Sequence, residues 1–214
     1  MGKDAIDYAC MFNISYGLFV LSAKDGEKNN ACIVNTVIQI TEQPNRVLVS
    51  VSKLNYTHDL IVKNKEFMVS ILTNEVPFSI FEIFGFQSGK DVDKFADFKD
   101  IAMGENKLPY LSKYANAYIG AKVTDMYDNE THTVFVAEVT EGKVISKVPS
   151  ITYTYYHAHT KPKIEAKPKS NKNPKEKRYL CKVCGFIYVG EELPKDYICP
   201  ICKHGVEVFE LMED

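Results

Sequence analysis

NNACIVNTVIQITEQPNRVLVSVSKLNYTHDLI, residues 29–61, decides the architecture of most of the chain. Ala31 to Thr41 and Val47 to Ser52 are nearly continuous apolar runs, the pattern of strands covered on both faces. Gln43-Pro44-Asn45 is the turn signal that separates them. Tyr56 to Asn64 then reads as a short helix, with Asn55 or Thr57 at its N-cap. The chemistry of the stretch lies at its interruptions. Asn30, Asn35 and Thr36 interrupt the first run and can hydrogen-bond a polar ring edge. Ser50, Ser52 and Lys53 sit at a strand end just before a helix, and hydroxyls, a lysine and a helix N-terminus together form an anion site.

Outward from that stretch, strands dominate. Ser15 to Ser22 precedes Asp25-Gly26, a hairpin turn signal. Phe67 to Leu72, Tyr118 to Tyr127, Thr131 to Glu141 and Ile151 to Tyr156 read as further strands, with Asp128-Asn129-Glu130 turning between the second and third of these. Pro77 to Phe84 is a short helix opened by proline. Many strands, regular turns and few short helices predict a mainly β body, a closed or half-closed antiparallel barrel. No G-x-G-x-x-G and no P-loop occurs, so there is no sequence case for a doubly wound dinucleotide fold.

Of the 214 residues, 45% are hydrophobic and 25% charged, a globular composition. No apolar run reaches the roughly 20 residues of a membrane span, and the first residues do not resemble a secretory signal. The net charge of −2 divides unevenly: residues 1–160 carry −4, residues 161–178 carry +6, and residues 179–214 carry −4. Residues 161–177 hold seven lysines and three prolines and no aromatic residue. Such a segment cannot bury enough surface to fold alone and predicts a flexible linker. Without aromatics to stack on bases it argues against a nucleic-acid partner. The expected divisions are therefore a body (1–160), a linker (161–177) and a tail (178–214).

The tail contains CKVCGFIYVGEELPKDYICPIC, residues 181–202. Cys181, Cys184, Cys199 and Cys202 form two Cys-x-x-Cys pairs, which in a chain without an export signal point to a metal and a reducing, cytoplasmic compartment. Four thiolates suit zinc or iron, and their spacing alone does not separate the two. Phe186, Ile187, Tyr188, Tyr197, Ile198 and Ile201 supply an apolar jacket, which favours a redox iron over a structural zinc. Cys10 and Cys32 remain as unpaired thiols. His58, His157, His159 and His204 read as surface or packing residues.

Two resemblances follow. Cys-x-x-Cys-Gly with the following aromatics, and Leu193-Pro194-Lys195-Asp196 before Cys199-Pro200-x-Cys202, resemble rubredoxins. Only 14 residues separate Cys184 from Cys199, as in the shortened rubredoxin-like tails of rubrerythrins, and Lys203 stands where the family has glycine. The body resembles the flavin-reductase-like FMN-binding split barrels, particularly flavoredoxins, through the opening stretch together with FGFQSGKDVDKF (84–95), HTVFVAEV (132–139) and YTYY (153–156). That resemblance implies FMN with Asn30, Ala31, Cys32, Ile33, Asn35 and Thr36 around the ring. Ser50, Ser52, Lys53 and Thr57 would hold the phosphate. It also implies a homodimer with the flavin at the interface, where Ser88, Gly89, Lys94 and His132 would contribute to its binding.

The two halves together imply an NAD(P)H-dependent oxidoreductase passing electrons through FMN to one Fe(Cys)4 centre and on to a redox protein such as a flavodiiron oxygen or nitric oxide reductase. No protein acid or base is required, so no catalytic residue is named. Blander readings stand beside these assignments. Ser50 and Ser52 fit a solvated strand face, Lys53 a surface charge, Cys32 a small packing residue and His132 an ordinary strand histidine. Two rival functions stay open: a flavin reductase that releases reduced FMN, its tail passive, and a zinc-ribbon interaction module on a barrel without redox cofactor.

Overall fold

The computed structural model describes residues 8–162, 177–182, 186–199 and 205–212. The body is one seven-stranded antiparallel sheet. Its strands are β1 (Phe19–Asp25), β2 (Lys28–Val34), β3 (Val37–Glu42), β4 (Asn45–Ser52), β5 (Glu66–Leu72), β8 (Ala115–Asn129) and β9 (His132–Val144), in the order β2-β1-β5-β8-β9-β4-β3. A small hairpin, β6 (Ile101–Met103) and β7 (Pro109–Leu111), packs beside it. The helices are α1 (Tyr56–Asn64) and α2 (Phe78–Gly85), the latter with Pro77 at its cap position.

β2 and β3 follow one another in the chain yet occupy opposite edges of the sheet. The expected single strand from Ala31 to Thr41 is therefore two, broken at Asn35-Thr36. A polar pair inside an apolar run is where the break falls: the Thr36 hydroxyl donates to the Ser50 carbonyl at 2.9 Å and turns the chain into register with β4. This step carries the chain from one sheet edge to the other, which gives the half-closed barrel.

Burial follows from that topology. Leu21, Cys32, Val49, Val51, Phe67, Val69 and Phe135 fill the barrel interior together with Leu60 and Ile61 of α1. The opposite face of β1 and β2 is covered by Ile80, Phe81 and Phe84 of α2. Each such side chain contributes about 1.5–3 kcal/mol through removal from water. β2 is thus covered on both faces as expected, but β3 is not: Ile38 and Ile40 are 56% and 41% exposed. Among the described residues β3, as an edge strand, has a neighbour on one side only, and these two isoleucines stay largely exposed.

Other elements depart from expectation in smaller ways. β1 begins at Phe19 rather than Ser15, and Gly17 makes only an isolated bridge to Thr152. The β1–β2 turn forms at Gly26, whose φ of +56° needs glycine's freedom. The β8–β9 hairpin is longer than predicted and turns one residue later, with Glu130 at φ +49°. Ile151 to Tyr156 does not form a strand. The Thr152 hydroxyl accepts from Tyr155 N at 3.1 Å, starting a helical turn over Tyr153–Tyr155 that runs into a π-turn at Tyr156–Thr160. Helical spacing lets Tyr153 and Tyr156 lie on one face, with Tyr156 packed 4.4 Å from the Phe81 ring.

The tail forms a three-stranded antiparallel sheet of β10 (Lys177–Cys181), β11 (Ile187–Gly190) and β12 (Phe209–Leu211), in the order β11-β10-β12. Lys177, the last residue of the expected linker, is in β10, and most of that linker lies outside the described residues. Among the described residues, no helix is long and apolar enough to cross a membrane.

Candidate functional site

The end of β4 and the start of α1 form the first part of the site. Asn55 occupies the cap position with extended backbone, as one of the two expected residues, but its side chain makes no capping hydrogen bond. The approach is shaped instead by Ser52, whose hydroxyl accepts from Leu54 N and whose carbonyl accepts from Asn55 N. Among the described residues no side chain caps the first amide groups of α1, though His58 N donates to the Asn55 carbonyl, and the positive end of the helix suits an anion. Lys53 stands beside it. Its main-chain N–H donates to the Thr131 carbonyl at 3.0 Å, and its Nζ lies 2.7 Å from both carboxylate oxygens of Asp128. That ammonium holds the Asp128 carboxyl below its usual range.

Thr57 links this corner to the second part of the site, the edge of β2. Thr57 is fully buried and its Oγ1 accepts from Asn30 Nδ2 at 2.8 Å. Asn30 is itself 2% exposed, and its Oδ1 has no hydrogen-bond partner. A buried amide oxygen without a donor is costly and calls for a ligand or water. Gly89 closes over it so tightly that a Cβ there would meet Oδ1 at 1.9 Å. Lys28 Nζ fixes this approach by donating to the Gly89 carbonyl at 3.0 Å.

The structure gives several sequence-predicted residues definite places and partners. Lys94 is only 7% exposed, and its Nζ donates to the carbonyls of Ala31 and Phe84 at 2.8 and 3.1 Å. It pins the 86–98 loop to β2 and α2, and both of these bonds go to main chain. Burial pushes its ammonium down to about 8, with Cys32 opposing. The Cys32 side chain lies in the barrel core, where burial pushes the thiol up and a Thr57 hydrogen bond works the other way. It packs there, as the blander reading has it. Ala31 is fully buried, so its contribution to the edge is main chain. Ile33 packs toward α2 near Gly85, and Asn35 is half-buried at the break between strands. Cys10 is exposed, and neither it nor Cys32 forms a disulfide.

Ser50, Ser52 and His132 gather at the first corner through the β4–β9 ladder, where Ser52 pairs with His132. His132 is exposed, with Nδ1 2.9 Å from the Thr131 hydroxyl. Ser88 is half-buried and its hydroxyl accepts from Lys90 N. The structure also brings in residues that sequence reasoning missed. Lys90 Nζ lies 3.4 Å from Asp59 and 5.6 Å from the Tyr56 ring centroid, so a second lysine flanks the start of α1. Its place beside Ser88-Gly89 was the available signal. His58, expected on the surface or in packing, is buried against Phe135 and bridges Asp59 and Thr133. Asp128 lies 75 residues from Lys53, and nothing in the sequence pairs them.

In the tail, Cys181 at the end of β10 and Cys199 are both fully buried, while Cys184 and Cys202 lie outside the described residues. The Cys181 N–H donates to the Phe186 carbonyl at 2.8 Å. Tyr197 lies 4.7 Å from the Tyr188 ring and 5.6 Å from Phe209. Burial, with Cys199 adding to it, raises the Tyr197 hydroxyl above its usual value. Ile198 is not part of the jacket: it is 59% exposed, because Tyr197 and Cys199 turn inward on either side of it. Buried soft donors in an aromatic shell suit a thiolate-bound metal.

Comparison with known proteins accords with both halves. Residues 11–163 match the flavin reductase like domain, and residues 179–210 the rubrerythrin, rubredoxin-like domain. The chain is 34% identical over 228 residues to the high molecular weight rubredoxin of Moorella thermoacetica, covering 96% of this chain and 99% of that one. It is 33% identical to the ferric-chelate reductase (NAD(P)H) of Archaeoglobus fulgidus, over 74% of this chain and 93% of the relative. Among solved structures, the NADH:FAD oxidoreductase of Streptomyces globisporus C-1027 superposes with a TM-score of 0.61 at 21% identity, covering 71% of this chain and 90% of that one.

Proposed function

The chain belongs to the flavin reductase-like family and carries a rubredoxin-like domain after it, and from that premise we propose that it passes electrons from NAD(P)H through FMN to a single thiolate-bound iron. The observation that supports this best is that one polypeptide holds a helix start without a side-chain cap beside Lys53 and two buried sulfurs in its tail. FMN, when bound, accepts the two electrons of a hydride and returns them singly, which is what one iron requires.

The residues present fit such a group. The amides opening α1, with Ser52 and Lys53, suit the phosphate, and β2, at the sheet edge, offers main-chain groups to a polar ring besides the Ala31 carbonyl that Lys94 takes. Asn30 Oδ1, buried without a donor, is poised for a ligand donor or a bridging water. Lys94 and Gly89 act through placement: they hold the 86–98 loop against β2 and limit the water that reaches Asn30. In the tail, Cys181 and Cys199 together with Cys184 and Cys202 would hold the iron.

The division into body (1–160), linker (161–177) and tail (178–214) lets the tail reach a flavin site on either subunit of a homodimer. Ile38 and Ile40 on the bare edge of β3 supply an apolar surface for that dimer. A redox protein of the flavodiiron type is the proposed acceptor.

The reading is tested by mixing anaerobic, purified protein with NADH or NADPH in a stopped-flow instrument. Loss of flavin absorbance followed by loss of the iron–thiolate bands is the expected result. Protein containing neither flavin nor iron, or bleaching of neither centre, would refute it. One observation favours a second reading, in which reduced FMN leaves the protein: Lys53 is already engaged by a carboxylate.

A further inference from the structure

We infer that Asp128 controls how firmly the site holds a flavin phosphate, by occupying Lys53 when the phosphate is away and opposing it electrostatically when it arrives. This rests on the placement of the flavin phosphate beside Lys53 and the start of α1. Both oxygens of Asp128 lie 2.7 Å from Lys53 Nζ, so the carboxylate approaches the ammonium as a phosphate would.

The pairing is built into the fold. Asp128 stands near the end of β8, and the tip of that hairpin is tied to β4 by the ladder pairs Val51↔Thr133 and Ser52↔His132. Lys53 is fastened to the same tip through its own main-chain N–H to the Thr131 carbonyl. The backbone thus brings the carboxylate to the mouth of the anion site whether or not a ligand is present. Asp128 is largely exposed, 71% against 34% for Lys53, so it can swing away without disturbing the core. The other lysine at this corner offers no replacement charge, since Lys90 already faces Asp59 and the Tyr56 ring.

Two physical consequences follow. A phosphate must displace or share with a carboxylate, and it meets a like charge at close range. A flavin without phosphate meets neither obstacle. Asp128 therefore lowers the preference for FMN over riboflavin, and with it the retention of FMN during turnover.

The test is calorimetric titration of the deflavinated full-length protein with FMN and with riboflavin. Asp128→Asn is expected to tighten FMN about three- to fivefold and to leave riboflavin unchanged. Asp128→Ala should do the same. The gain should shrink in 0.5 M salt, because the pair is exposed and screened at about 10 Å or less. Lys53→Ala should lower the preference for FMN about tenfold, and adding Asp128→Asn to it should recover less than Asp128→Asn gains alone, because only the like-charge repulsion is then left to remove. An Asp128→Asn protein with an unchanged or lower preference for FMN overturns the inference but leaves the proposed function standing. Failure of the unsubstituted protein to bind either flavin overturns both.

Discussion

Gly89→Ala tests whether the closure over Asn30 is as tight as its geometry implies. The new methyl would lie 1.9 Å from Asn30 Oδ1, whereas ordinary contact begins at 3.4 Å, so about 1.5 Å must be found. Asn30 cannot yield freely, because Nδ2 is held at 2.8 Å by Thr57, which is fully buried. The 88–90 loop cannot retreat freely either, because Lys28 Nζ holds the Gly89 carbonyl at 3.0 Å. Overpacking of this kind costs about 1–3 kcal/mol, and losing one of those hydrogen bonds adds about 1. We expect a loss of about 2–3 kcal/mol, seen as a urea midpoint lowered by about 1 M for a slope near 2–3 kcal/mol/M. Gly26→Ala is the control. A Cβ at Gly26 would meet nothing within 4 Å, so only the strain of φ +56° is felt, about 1 kcal/mol. Asn30→Ala removes the obstruction, so it should be less harmful in the Gly89→Ala background than alone. A Gly89→Ala midpoint no lower than that of Gly26→Ala, or strict additivity with Asn30→Ala, would refute the reasoning.

Lys94 gives a prediction in pH. Its folded-state value of about 8 lies below the ordinary 10.5, so between those values the unfolded chain binds more protons than the folded one. Stability of the unsubstituted protein relative to Lys94→Met should therefore rise from pH 8 to pH 10.5, by up to about 3 kcal/mol at full titration, measured by urea unfolding at matched pH; a flat or falling difference contradicts it. Ile40→Asp on the exposed edge of β3 should convert a dimer to monomers in light scattering after gel filtration, and an unaltered mass would place the interface elsewhere. Cys199→Ala should abolish the visible iron–thiolate absorption while NADH still bleaches the flavin; loss of both together would mean that the tail is needed for flavin binding itself.

The sequence made the elements legible and their connections only partly so. Helix α1 spans the predicted Tyr56–Asn64, and the β1–β2 turn falls at Gly26. What misled was hydrophobicity taken as burial. Ala31 to Thr41 is nearly continuous in apolar residues, yet it splits at Asn35-Thr36 into one strand covered on both faces and one strand left largely exposed. An isoleucine left exposed has the same sequence pattern as one buried within its own chain. Tyr153 and Tyr156 misled in the opposite sense. Aromatic β-propensity suggested a strand, but the cap at Thr152 and the fit against Phe81 favour a helical turn, and tertiary packing outweighs local preference.

The site divides along the same physical line. Residues whose role depends on the chain just around them were visible: Ser52 and Lys53 precede a helix start, and their value to an anion follows from that position alone. Residues whose role depends on a distant partner were not. Lys94 carries a charge in a motif shared with flavin proteins, and a direct contact with ligand was the natural expectation. Its position against two carbonyls, from Ala31 and Phe84, makes it a fastener of the loop, which its sequence neighbours did not show. Asp128 is the sharper case. Within a turn-like Asp-Asn-Glu it had no visible purpose, because its meaning arises only when β8, β9 and β4 align and set it against Lys53. On the proposed placement of the phosphate, the carboxylate opposes the binding that Lys53 and the start of α1 would promote. A protein that needed only to hold FMN as tightly as possible would gain by replacing it. Its presence therefore makes flavin retention an adjustable property of this fold, and the affinity of the Asp128→Asn protein measures how far that property has been set below its limit.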